Sequence, residues 1–73
     1  MNSKLYNKIG LKIKIERVKR NISQEKLAEL ADLSRPTIGA IERGQKSPTF
    51  NTLEAIADAF GMTVQELCNF DNI

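Results

Sequence analysis

SQEKLAELADLSRPTIGAIERG, Ser23 to Gly44, decides the fold. Ser23 is an N-cap residue, with Glu25 placed favourably in the first turn of a helix running from Gln24 to Ala31. Leu27, Leu30 and Ala31 recur at helical spacing and form its expected buried stripe. Asp32 and Leu33 leave a turn of about three residues before Ser34 caps a second short helix, Arg35 to Arg43. Pro36 fits there because the first turn needs no intrahelical N–H, and Gly44 ends the helix. After Leu33 the large apolar residues are Ile38 and Ile41, three apart. Arg35, Pro36, Thr37, Gly39 and Ala40 are small, polar or charged, and are expected to face outward.

Working outward, a longer helix from about Tyr6 to Arg20 precedes this stretch, with Ile9, Ile13 and Val18 near helical spacing and Asn21 ending it. Beyond it, GQKSP forms a loop and Thr49 caps a helix from Phe50 to Phe60. There Leu53, Ile56, Ala57 and Phe60 follow the i, i+3, i+4, i+7 rule. Gly61 closes that helix, and Thr63 with Glu66 is a capping box opening a last short helix through about Cys68. No segment alternates like a strand. The expected class is all-α, with five helices in one domain over residues 1–68 and a short tail over 69–73. Seventy-three residues are too few for two cores.

The chain is 41% hydrophobic and 27% charged, ordinary for a globular protein. Its net charge of +2 conceals an asymmetry. Residues 1–22 hold seven Lys/Arg against Glu16, residues 23–46 balance, and residues 47–73 carry four acids and no base. Such a molecule can turn a basic side to a polyanion, or it can simply carry a solvated basic helix. One cysteine, Cys68, cannot form an internal disulfide, which suits a reducing compartment, and it reads as a small core hydrophobe. No apolar run approaches the ~20 residues of a membrane span, and the N-terminus lacks a signal-peptide core; the expected location is cytoplasmic. There is no His, no Gly-rich phosphate loop and no Cys/His cluster, so an enzyme is not expected, and no cofactor or metal is implied.

Two short helices joined by a tight turn outline a helix-turn-helix. Small Ala28 and Ala31 let the two approach closely. With Ile38 and Ile41 pinned to the core, the slim outer face suits the major groove of DNA, about 12 Å wide, or is an ordinary exposed face.

The residues SQxxLA, the LS turn, TIxxIERG, P-x3-TL-x2-IA and AFG together resemble the Cro/repressor-like helix-turn-helix family, also called XRE. The resemblance runs from Ile9 to Leu67. It implies a lambda-repressor-like five-helix domain that binds double-stranded operator DNA as a homodimer on a pseudo-palindrome and regulates transcription, as a repressor in the simplest case. An antitoxin, with a toxin as protein partner, or a restriction–modification controller shares the fold.

By the same resemblance, Arg35 to Arg43 is the recognition helix, and Arg35, Pro36, Thr37 and Ala40 face base edges. A guanidinium can bridge O6 and N7 of guanine, which favours Arg35 for readout over a phosphate contact. Gln24, Ser34, Arg43, Lys46 and Ser47 are implied at the DNA backbone, and Arg17 with Glu42 as a partly buried structural salt bridge. Lys12, Lys14, Lys19 and Arg20 are expected to add only long-range attraction. Phe70 and Ile73, hard to bury in one chain, are the expected dimer contacts.

Three positions depart from the family pattern. Asp32 replaces the usual turn Gly, which predicts a slightly altered turn. Gly39 inside the recognition helix costs about 1 kcal/mol relative to Ala, for close backbone approach or by drift. Glu16 stands where an apolar residue is usual, so either the core seam is shifted or Ile15 is exposed.

Overall fold

The computed structural model describes residues 3–71. It contains five helices among the described residues: α1 (Ser3–Lys19), α2 (Gln24–Ala31), α3 (Arg35–Glu42), α4 (Phe50–Phe60) and α5 (Val64–Leu67). α1 starts three residues earlier than its apolar spacing suggests, and α3 ends one residue before Arg43, which is its C-cap.

Side-chain caps begin each later helix. Ser23, Ser34, Thr49 and Thr63 accept from the backbone N–H three residues on, at Lys26, Thr37, Thr52 and Glu66. Thr63 and Glu66 complete a reciprocal capping box. The helix ends are equally uniform. Asn21, Asp32, Gly44 and Gly61 all have positive φ. At each, the next residue's N–H reaches a carbonyl five positions back, as Leu33 does to Ala28 at 2.8 Å and Met62 to Ala57 at 2.9 Å. This is the Schellman arrangement. Asp32 therefore takes the left-handed conformation itself, at φ 56°, because a short polar side chain tolerates it better than most. The turn keeps the geometry that a Gly would give.

The core is Ile13, Leu27, Ala28, Ala31, Ile38, Ile41, Ile56, Ala57, Phe60 and Leu67. α2 packs on α3 and α4, while α1 crosses α3 and touches α4 and α5. Two apolar assignments need correcting. Leu30 is 50% exposed, and Ala28 takes its place in the buried stripe of α2, since the α3 contact lies on the Leu27–Ala28–Ala31 side. Val18 is 58% exposed; with Leu11 and Ile15 it lines the α1 face opposite Ile13.

Glu16 resolves its departure from the pattern by ion pairing. It is buried on the core side, while Ile15 stays half-buried on the far face. Arg20 Nη1 donates to Glu16 Oε1 at 2.7 Å, and its Nη2 donates to the Phe60 carbonyl at 3.0 Å. The guanidinium also lies 4.6 Å from the centre of the Phe60 ring. Lys12 Nζ donates to the carbonyls of Glu66 and Asn69 at 3.1 and 2.9 Å. These two cations thus add hydrogen bonds to carbonyls at the end of α4 and at or just beyond the end of α5. Their role is structural, not one of long-range attraction alone.

Candidate nucleic-acid interface

α3 is held from beneath and bare above. Ile38 and Ile41 are 0% and 1% exposed and lock it onto α1 and α2. Arg35 and Pro36 are exposed, and Ala40 is half-buried. Thr37 is also half-buried, its hydroxyl 2.7 Å from the Ser34 hydroxyl that caps the helix. Gly39 is a correction: it is buried, covered by the side chains of Gln24 and Arg43, and does not face open solvent.

Gly10, which the sequence reading passed over, sets how closely α1 can cross α3. A Cβ there would meet the carbonyl oxygens of Ile41 and Glu42, the latter at 2.8 Å. Only glycine fits that crossing. A lone Gly inside a helical pattern was the available signal.

A polar network joins the helix-turn-helix to α1. Arg17 Nε donates to Glu42 Oε2 at 2.8 Å and Nη2 donates to Oε1 at 3.1 Å, a two-pronged pair. Arg17 also donates from Nη1 to the Ile22 carbonyl at 2.9 Å, and Gln24 Nε2 donates to Glu42 Oε1 at 3.0 Å. The Glu42 side chain is 3% exposed. The hydrogen bonds to Glu42 push the Arg17 pKa further up, against the effect of burial, so this guanidinium stays charged. The first residue of α2 is thus fixed to the end of α3.

The remaining predicted residues fall around α3. Ser34 is exposed at its N-terminus; Arg43 is exposed at its C-cap, where Nε donates to Gln45 Oε1 at 2.9 Å. Lys46 and Ser47 are exposed in the loop before α4. Phe70 is half-buried beyond α5, away from this face in the sequence, and Ile73 lies outside the described residues. Among the described residues there is no metal-binding cluster of His, Cys, Asp or Glu, and no helix is long and apolar enough to cross a membrane. Cys68 is half-buried, and burial pushes its thiol pKa up, keeping it protonated.

A capped helix, a left-handed turn and a second capped helix with a lean outer face describe a known DNA-binding unit. The Helix-turn-helix family model matches residues 13–67. The chain belongs to this family. Its relatives include the immunity repressor protein of Bacillus phage phi105, 42% identical over 59 residues, which cover 81% of this chain and 41% of the repressor. The control protein C.BamHI of Bacillus amyloliquefaciens is 42% identical over 55 residues, covering 75% of this chain and 68% of that protein. Among solved structures, the restriction-modification controller protein C.AhdI from Aeromonas hydrophila superposes with a TM-score of 0.83 at 32% identity, covering 85% of this chain and 94% of C.AhdI. The chain spans less than half of the phage repressor's length. As a helix-turn-helix member it is a DNA-binding domain of the transcription-regulator type.

Proposed function

We propose that two copies of this chain bind a pseudo-palindromic operator and regulate transcription, in the simplest case by repression. Each copy sets α3 into the major groove of one half-site, with half-sites about one helical turn apart. Arg35 bridges guanine O6 and N7, while Pro36, Thr37 and Ala40 permit or make close contact with base edges. Gln24, Ser34, Lys46 and Ser47 hold the phosphates on either side. Phe70 and Ile73 contribute to the two-fold contact, and the DNA ligand places the protein at the nucleoid. The observation that supports this best is the contrast across α3, two fully buried isoleucines below and a lean face with exposed Arg35 above. The controller reading has its own support in the likeness to C.AhdI, at 32% identity and a TM-score of 0.83; restriction and methylation genes beside the coding sequence would favour it over a phage-type repressor.

The test is selection from a randomised DNA pool at fixed salt, for the wild type and for Arg35→Ala. The wild type should select an inverted repeat, and Arg35→Ala should lose one preferred base per half-site, a discrimination of roughly 1–3 kcal/mol. Gln24→Ala should weaken all sequences about equally. Affinity should fall steeply with salt as counterions are displaced. An unchanged base preference in Arg35→Ala would overturn the readout assignment, and selection of single half-sites only would overturn the dimer.

A further inference from the structure

We propose that Arg43 reads a second base in the major groove, from a seat on α3 that Gly39 leaves open. This rests on the groove-binding reading above and reassigns Arg43 from the phosphate contact that family resemblance implies.

Arg35, Gly39 and Arg43 recur every four residues, so they form one stripe along the outer side of α3, beside Pro36 and Ala40. Helical side chains lean toward the N-terminus, and Arg43 does so fully. A Cβ built on Gly39 would lie 2.9 Å from Arg43 Nη1 and 3.7 Å from its Cζ. The guanidinium therefore occupies the space a side chain at position 39 would fill. Gln24 closes the other edge of the seat, its Oε1 lying 3.6 Å from the same point. Gln24 is itself held by Glu42, and Arg43 Nε by Gln45. Among the described residues Arg43 pairs with no carboxylate, and its Nη groups remain available as a planar fork.

The seat lies four residues after Arg35, about 6 Å along the helix axis. That is close to two base-pair steps of about 3.4 Å each. Two guanidinium forks spaced in this way suit two guanines separated by one intervening pair. The helix cost of a mid-helix glycine then has a use, because any larger residue would push the second fork off the face.

The experiment is selection on the randomised pool with wild type, Arg35→Ala, Arg43→Ala and Gly39→Ala, alongside thermal unfolding of each. Arg43→Ala should erase preference at one position per half-site, distinct from the one lost in Arg35→Ala, by roughly 5- to 150-fold in discrimination. Gly39→Ala should lose preference at that same position although its thermal midpoint holds or rises. An even loss of affinity across all sequences in Arg43→Ala, or unchanged preference in Gly39→Ala, would overturn the inference and leave the Arg35 reading intact. No base preference in the wild type would overturn the proposed function itself, and this inference with it.

Discussion

Glu16 and Arg17 are neighbours in the chain, yet they serve two different networks on two sides of α1. Arg17 faces α3 and shares Glu42 with Gln24, in a pair whose side chains are 13% and 3% exposed. Glu16 meets Arg20, whose side chain is 32% exposed and reaches the Phe60 carbonyl of α4, with Lys12 at 3.9 Å and Lys19 at 3.5 Å as further partners. The first network has one cation for one deeply buried carboxylate. The second has three cations around a buried carboxylate, and two of them, Arg20 and Lys19, reach into solvent. Redundancy and water make the second forgiving, whereas the first depends on every member.

Substitutions separate the two networks. The largest effect should come from Arg17→Ala, which strands the buried Glu42 charge and should cost about 3–5 kcal/mol in urea unfolding. Arg20→Ala removes charged hydrogen bonds at a wetter site and should cost about 2 kcal/mol. If the two losses were equal, the distinction between the networks would collapse. Glu16→Leu restores the usual apolar residue and leaves Arg20 partly in water and still bonded to the Phe60 carbonyl, so it should change stability by only about 1 kcal/mol in either direction.

Acid sharpens the same contrast. The Arg20 hydrogen bond, aided by Lys19, holds the Glu16 carboxyl below its ordinary value of 4.5, against the opposing effect of burial. A carboxyl with a folded-state pKa below its unfolded value stabilises the fold above the unfolded value. That contribution is lost as pH falls through the folded-state pKa. Wild type should therefore lose stability on acidification below about pH 4.5 more steeply than Glu16→Gln, measured by urea midpoints across a pH series. The smallest effect belongs to the exposed pair Lys26–Glu29, 3.0 Å apart with side chains 52% and 71% exposed. Lys26→Ala should shift stability by about 0.5 kcal/mol or less.

The legible parts of the sequence were those governed by local chemistry. Ser23, Ser34, Thr49 and Thr63 announced helix starts because each side chain answers an N–H three residues away. The anchoring of α3 by Ile38 and Ile41 followed from spacing alone. Leu30 and Val18 were misplaced for the opposite reason. An apolar residue at helical spacing says which face it shares, not whether another helix covers that face. Arg20 and Lys12 looked like surface charge because, beyond nearby Glu16, their partners are carbonyls 40 to 57 residues away, and every residue type carries a carbonyl.

The order of helices, their caps and the side of α3 that Ile38 and Ile41 anchor were thus settled by residue types within a few positions of one another. Which cations turn inward, why Gly10 must be bare, and how Arg43 comes to lie over Gly39 were decided only when α1, α2 and α3 closed on one another. Such contacts depend on distances between segments remote in the chain, and no short-range pattern encodes those distances.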